Sequence, residues 1–252
     1  MEAKYTQEGH SADSTRSHSS GLVILKKLFE DIGQVSSLLD VGGGIGTWSS
    51  AAKVLGVPQV ELIDGPWVNT DDLMVSLEEF TQHNLEESLP HEINGISKFE
   101  IAICMEVAEH LSPERAKGLI QDLCNKSEVV LFSAGVPEQG GLNHINEQWQ
   151  SYWVGLFEAQ GYSCHDSIRA HVWNHPDVNV WYKQNTLVFK RGHFGDENVI
   201  LNVIHPDNWM HVNHLYQQSM KILDARKVQK LLKRILPVKI IDFLRDINRK
   251  LP

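Results

Sequence analysis

Long apolar runs are missing from this 252-residue chain. None approaches the roughly 20 apolar residues that a bilayer-spanning helix needs. The opening stretch MEAKYTQEGHSADSTRSHSSG is polar, so no signal peptide is expected. Cysteine is scarce too: Cys104, Cys124 and Cys164 are widely spaced, form no C-x-x-C pair and are odd in number. That argues against a disulfide framework and for buried thiols in a reducing compartment. A cytoplasmic protein is therefore expected.

Positive charge is short over most of the chain. The first 220 residues hold 13 Lys or Arg against 29 Asp or Glu, whereas Lys221 onward holds ten against three. The net charge of −9 excludes a general nucleic-acid binder, and no DNA partner is expected. An acidic body with a basic tail is left.

What is present is an alternation of helical and strand patterns. Residues 22–33 have helical spacing ending in glycine, 36–41 form a short apolar run, and 47–55 read as a helix closed by Gly56 and Pro58. Residues 59–63 read as a second strand, and 65–95 are less regular. Residues 99–105 and 127–133 are buried-looking strands around a helix at 113–125. A helix at 146–160 precedes two strands at 162–173 and 181–191, joined without a helix. The alternation predicts βαβ units and a mainly parallel sheet, with an antiparallel hairpin at one edge. Four segments follow: an N-terminal cap at 1–21, a main domain at 22–191, an irregular extension at 192–220 and a basic helical tail at 221–252.

The densest signal is LLDVGGGIGTW, where four glycines fall within five positions after the first strand. Glycine lets a backbone turn sharply and approach a ligand that a Cβ would obstruct. In a doubly wound sheet, such a loop lies where ligands bind. The dinucleotide fingerprint needs Gly42, Gly44 and a small residue at 47, where Thr47 stands. The pattern D-x-G-x-G-x-G is complete in Asp40, Gly42, Gly44 and Gly46.

On these residues the chain resembles the class I S-adenosylmethionine-dependent methyltransferases. The resemblance covers roughly residues 22–191 and implies a doubly wound, Rossmann-like α/β fold with a seven-stranded sheet. It implies that the glycine loop holds S-adenosylmethionine, with Gly42 and Gly44 against its methionine and ribose portions. Asp40 would order the loop. Asp64, beside Gly65 at the end of the second strand, would accept the ribose hydroxyls. Asn84 and Leu85 stand where the family often has an Asp-Leu pair at the adenine, and Met105 closes the next strand. Glu100 replaces an Asp common in the family.

After that strand comes EVAEH, in which Glu106, Glu109 and His110 share one face of a helical turn. Two neighbouring carboxylates repel unless something positive lies between them. One reading gives Glu106 to the cofactor region and leaves Glu109 and His110 to begin a helix. The other is a divalent-metal site, as in ubiquinone-pathway O-methyltransferases and small-RNA 3′-terminal methyltransferases, whose Glu-x-x-Glu-His turns this one resembles. The RNA enzymes add a histidine after the next strand, and His144 in GGLNHINEQW occupies that place. Glu106, Glu109, His110 and His144 would suit Mn²⁺, Fe²⁺ or Zn²⁺ better than Mg²⁺. Without a metal, His144 is the leading catalytic base, with His110 beside it.

Trp149, Tyr152 and Trp153 have core-like spacing, while Trp149 is also placed to edge the pocket. His171, Trp173, His175, Trp181 and Tyr182 suit either an acceptor lid or a cover for the sheet edge. Tyr5, His10, Arg16 and His18 fall where relatives fold a cap. In the tail, Val228, Leu231, Leu232 and Ile235 form one apolar stripe, and Ile240, Ile241, Leu244 and Ile247 another, separated by Pro237. Cations fill the other face, which suits docking on the body, a homodimer, or contact with the inner membrane surface.

The expected activity is transfer of a methyl group to an oxygen of a small-molecule or glycan-like acceptor. The competing readings are a 3′-terminal RNA methyltransferase, a catalytically silent cofactor-binding partner and a nicotinamide-dependent oxidoreductase.

Overall fold

The computed structural model of the chain describes residues 7–192 and 202–235. The chain divides into two compact units, Met1–Asn208 and Trp209–Pro252. The first holds all the strands: β1 (Ser37–Val41), β2 (Gln59–Asp64), β3 (Phe80–Gln82), β4 (Ile101–Met105), β5 (Val129–Ser133), β6 (Tyr162–His165) and β7 (Leu187–Arg191). They form one sheet in the order β3-β2-β1-β4-β5-β7-β6. The first five run parallel, and β7 is antiparallel to both β5 and β6. Strand order reverses between β1 and β4, which places a ligand crevice at their carboxyl ends.

Near-continuous apolar runs in the central strands serve two faces at once. On one face Leu39, Ala102, Cys104, Val130 and Phe132 meet α3 (Ala116–Lys126) and α4 (Gln150–Glu158) through Leu119, Leu123, Trp153 and Phe157. On the other, Leu38, Ile101, Ile103 and Leu131 meet α1 (Gln7–Ile32) and α2 (Thr47–Val54) through Ile24, Leu25, Leu28 and Trp48. Each fully buried Leu, Ile or Phe contributes about 1.5–3 kcal/mol relative to an exposed one. A Cβ on Gly21 of α1 would lie 3.1 Å from Ala51 Cβ, so the two helices approach closely there.

The expected doubly wound architecture holds, with local differences. Helix α1 begins at Gln7, so most of the expected cap segment is continuous with the helix that carries the core positions. The stretch 65–95 contributes the short strand β3, whose pairing with β2 extends from Leu62↔Phe80 to Asp64↔Gln82. The hairpin is shorter than the pattern suggested. Between β6 and β7 lie α5 (Ser167–Val172) and α6 (Val180–Asn185), because Ile168 and Val172, four apart, bury one helical face. Of Trp149, Tyr152 and Trp153 only Trp153 is core; Trp149 and Tyr152 are exposed.

The Glu100 carboxylate accepts the Ser36 backbone N–H at 2.6 Å and the Ser36 hydroxyl at 2.7 Å, which ties the start of β4 to the start of β1. The residue is thus a structural tie. A helix α7 (Pro206–Ile235) starts inside the expected irregular extension, since Pro206 suits a first helical turn. The second apolar stripe of the tail, Pro237 and Tyr5 lie outside the described residues. Among the described residues no helix is long and apolar enough to cross a membrane.

Candidate active site

Strand β1 delivers Asp40 and the glycine loop to the sheet's switch point. Gly42, Gly44 and Gly46 all have positive φ, at 78°, 59° and 85°. A Cβ on Gly42 would lie 2.6 Å from a Val107 methyl, whereas one on Gly44 would meet nothing within 4 Å. The loop is therefore packed against the chain at Gly42 and faces open space at Gly44. Asp40 lies beneath it, fully buried, and its Oδ2 accepts the Ser49 backbone N–H at 3.1 Å and hydroxyl at 2.8 Å. Burial pushes the Asp40 carboxyl up to about 7, with Ser49 opposing and Asp64 reinforcing the rise.

Asp64 ends β2 beside the loop. Its Oδ2 accepts the Gly44 N–H at 2.7 Å and its Oδ1 the Gly65 N–H at 2.5 Å. Burial raises its carboxyl, and both amides and Trp67 oppose the rise. The Trp67 ring lies directly over Gly65, where any Cβ would collide with it, and is otherwise largely exposed. Just past β3, the His83 N–H bonds the Asp64 carbonyl at 2.7 Å. The exposed Asn84 folds an Asx turn onto Glu86, and buried Leu85 packs in the core, its carbonyl accepting Arg115 Nε at 2.7 Å. Asn84 thus follows directly on His83, the residue bonded to the end of β2.

At the end of β4, Met105 is buried and its sulfur faces the Ser133 hydroxyl at 4.0 Å. Glu106 follows with φ of 56°, a conformation unusual for a residue with a side chain. Its N–H is held by the Ser133 carbonyl at 2.9 Å and hydroxyl at 3.1 Å. Its carboxylate accepts Gln139 Nε2 at 2.9 Å and Asn185 Nδ2 at 3.1 Å. Burial raises the Glu106 carboxyl, against the lowering effect of these amides.

Glu109, three residues on, is completely buried, and neither carboxylate oxygen has a hydrogen-bond partner. Burial, reinforced by the charge of Glu106, pushes its carboxyl well above the usual range. The His144 loop is fastened to the same residue: the Ile145 and Asn146 N–H groups donate to the Glu109 carbonyl at 2.9 and 3.0 Å. The rings of His110 and His144 meet edge to face, 4.7 Å between centroids. Loss of solvent, with His144 adding to it, lowers the His110 imidazole.

Donor atoms of Glu109, His110 and His144 lie within 4.8 Å of one another. Two imidazoles and a buried, unsatisfied carboxylate form a donor set suited to a divalent transition metal. His144 Nδ1 lies 2.9 Å from Glu147 Oε1. A carboxylate only accepts, so Nδ1 carries the hydrogen and Nε2 presents its lone pair. Gly135 and Gly141 leave room for this ring, since a Cβ on either would crowd it.

The structure thus gathers Asp40, the glycines, Asp64 and Gly65 at the carboxyl ends of β1 and β2, and Glu109, His110 and His144 into a cluster past β4. Glu106 stands between them, its oxygens engaged by carboxamides. Gln139, Glu147 and Asn185 were not found from sequence. Glu147 is three residues from His144, a legible spacing; Asn185 lies 79 residues from Glu106 and left no local signal.

Over residues 22–173, more than half of the chain, the sequence matches the family described as a methyltransferase domain. A comparison with curated proteins gives no match. Among solved structures, the chain is similar to CalS10, an amino pentose methyltransferase from Micromonospora echinaspora with bound S-adenosylmethionine. That likeness has a TM-score of 0.53 at 14% identity, covering 76% of this chain and 99% of that one. It is similar to magnesium protoporphyrin IX methyltransferase from Synechocystis PCC 6803 with the same cofactor, with a TM-score of 0.52 at 14% identity over 76% and 87%. The methyltransferase domain of bacterial CtHen1-C gives 0.50 at 17% identity over 70% and 100%. The chain spans half the length of another similar structure, the calicheamicin-biosynthesis methyltransferase CalO1. At these identities the likeness concerns the fold.

Proposed function

The chain belongs to the class I S-adenosylmethionine-dependent methyltransferase family, and from that premise we propose that it methylates an oxygen of a small-molecule or glycan-like acceptor with the help of a divalent metal. The observation that carries the proposal is the buried, unpartnered carboxylate of Glu109 facing His110 and His144 at the carboxyl end of β4. A carboxylate without partners in a dry site is costly unless a cation or a proton satisfies it.

The glycine loop and Asp64 support this reading of the cofactor. A Cβ on Gly44 would meet nothing within 4 Å, which leaves that point of the loop open for the ribose, and Asp64, already oriented by two backbone amides, retains lone pairs for the hydroxyls. Asn84 is assigned to the base, where its carboxamide oxygen can accept the adenine amine. Methyl transfer is an in-line displacement, so the protein's main contribution is alignment of donor and nucleophile.

Glu109, His110 and His144 would hold the metal, with Glu147 fixing the His144 ring from behind. A divalent cation there supplies Lewis acidity to an acceptor hydroxyl. His144 Nε2, left free by the Nδ1–Glu147 bond, takes the hydroxyl proton where no metal is bound, a role worth roughly 10²–10⁴ in rate.

The test is turnover of S-adenosylmethionine to S-adenosylhomocysteine with paired acceptors that differ only in a hydroxyl or an amine. Turnover with the hydroxyl members, enhanced by Mn²⁺ and abolished by chelation, is the expected result. Turnover with amines alone overturns oxygen transfer, and turnover indifferent to chelation overturns the metal. Short RNA at low salt serves as the competing acceptor.

A further inference from the structure

Glu106 is the end of a chain of carboxamides, buried at Gln184 and Asn185 and half-buried at Gln139, that begins in the segment after β7. Val203 and Asn202 pin that segment to the start of α4: the Val203 carbonyl accepts Gln150 Nε2 and Asn202 Oδ1 accepts the Ser151 N–H, both at 3.0 Å. Next in the chain, the His205 N–H donates to Gln184 Oε1 at 2.8 Å, and Asn208 Nδ2 reaches the same oxygen at 3.2 Å. The His205 ring is itself fixed, with Nε2 donating to the Trp173 carbonyl at 2.8 Å and Nδ1 accepting the Asp207 N–H at 3.1 Å.

Gln184 passes the order inward. Its Nε2 donates to Asn185 Oδ1 at 3.0 Å and to Gln139 Oε1 at 3.2 Å. Asn185 Nδ2 is shared between Gln139 Oε1, at 2.9 Å, and Glu106 Oε1. Because each carboxamide oxygen is already occupied as an acceptor, Gln139 and Asn185 can present only N–H groups to Glu106. Glu106 therefore receives a neutral carboxamide donor on each oxygen, with the Ser133 hydroxyl and the Glu109 carboxyl also acting on it, and none of these partners is a cation.

Its position gives this carboxylate a use. Val107, the next residue, packs on Gly42 at the methionine end of the glycine loop. Tyr182, whose hydroxyl receives the Trp48 indole N–H at 3.4 Å, lies on α6 with Gln184 and Asn185, and Trp48 stands in the first turn of α2 after that loop. Glu106 thus borders the glycine loop, whereas Glu109 belongs to the histidine cluster.

We infer that Glu106 is a cofactor-binding residue that receives the α-ammonium of the methionine portion, and that Gln139, Asn185 and Gln184 are positioning residues holding it for that task from the anchored 202–208 segment. The inference rests on the cofactor reading above. It separates the two acids of the turn: Glu106 serves the donor's cationic end, and Glu109 the metal and acceptor.

The experiment is isothermal titration of S-adenosylhomocysteine and of 5′-methylthioadenosine, which lacks the amino acid, into wild type, Glu106→Gln, Asn185→Leu and Gln184→Leu. Glu106→Gln keeps the side-chain shape and should weaken S-adenosylhomocysteine about tenfold while leaving methylthioadenosine within about twofold, as loss of one charge-assisted hydrogen bond requires. Asn185→Leu and Gln184→Leu should show the same selective loss, graded by distance from Glu106. Equal weakening of both ligands, or of neither, in Glu106→Gln overturns the inference. Should a leucine variant fail to fold, the Glu106→Gln pair of titrations still decides. Failure of wild type to bind either nucleoside overturns the cofactor reading and the inference together, whereas wild-type binding with an unselective Glu106→Gln overturns the inference alone.

Discussion

The Gly44 N–H donates to Asp64 Oδ2 at 2.7 Å. The bond joins the most open point of the glycine loop to the acid at the end of the neighbouring strand. It sets the carboxylate's direction before any ligand arrives, and it is matched on the other oxygen by Gly65. The sugar-binding acid and the loop it serves are thus parts of one hydrogen-bonded unit, and binding need not order them.

Replacing Asp64 tests that unit. Asp64→Ala removes the acceptors for the ribose and leaves the Gly44 and Gly65 amides without their partner. Each hydrogen bond to a charged group is worth about 1.5–3 kcal/mol, so S-adenosylhomocysteine affinity should fall by about 100-fold or more. Asp64→Asn keeps one oxygen for the amides and should bind better than the alanine variant. Isothermal titration measures both, and an alanine variant with wild-type affinity would remove Asp64 from the site.

Two glycines of one loop should respond oppositely to alanine. At Gly42 the φ of 78° and the 2.6 Å approach of Val107 make any Cβ destabilising, by about 1–3 kcal/mol. At Gly44 nothing lies within 4 Å, so only the left-handed backbone is penalised, by about 1 kcal/mol. Its new methyl would project into the space assigned to the cofactor. Gly42→Ala should therefore show the larger fall in Tm, and Gly44→Ala the larger loss of S-adenosylhomocysteine affinity relative to its fall in Tm. Scanning calorimetry alongside titration separates them.

The sheet and the loop were legible in the sequence because their signals are local. Apolar runs such as LLDV and IAICM report burial on both faces, and four glycines in five positions report a backbone that must turn. The span between β6 and β7 was misread because Ile168 and Val172 serve a helical face that a short apolar stretch does not distinguish from a strand. Helix α1 was read as starting late because its first turns carry polar residues. Asp64 and His144 were singled out by position, Asp64 as the last residue of a strand and His144 in the loop after one. Gln139 and Asn185 were invisible, as a carboxamide has no signature until folding brings it to a carboxylate dozens of residues away.

Metal binding should depend on the three clustered residues and much less on Glu106. Glu109→Ala and His144→Ala should each abolish measurable Mn²⁺ binding, so that the free-ion electron paramagnetic resonance signal, which falls on binding to wild type, persists in their presence. Both variants should still bind S-adenosylhomocysteine, whose crevice is built from other side chains. Glu106→Gln, by contrast, should hold Mn²⁺ within a few-fold of wild type. Glu147→Gln leaves the His144 ring without its anionic partner and should weaken the metal about 10–100-fold, as loss of such support commonly does. If Glu106→Gln abolished Mn²⁺ binding as Glu109→Ala does, four ligands rather than three would be required.

Stability of the free protein should fall as pH rises toward neutrality because of Asp40. Its folded carboxyl is raised by burial from the ordinary 3.8 to about 7, against the two Ser49 hydrogen bonds; Asp64 adds like charge, and the Cys104 thiol also faces it. Below about 3.8 both folded and unfolded states hold the proton, so the contribution is fully present there. Between that value and about 7 only the folded state retains the proton, so stability declines with each pH step; above about 7 the contribution is gone. Asp40→Asn has no proton to lose and its carboxamide oxygen still accepts from Ser49. Urea denaturation should therefore show wild type losing about 2 kcal/mol more than Asp40→Asn between pH 5 and pH 7.5. Parallel pH profiles for the two proteins would mean that Asp40 is ionised throughout, with the Ser49 bonds outweighing its burial.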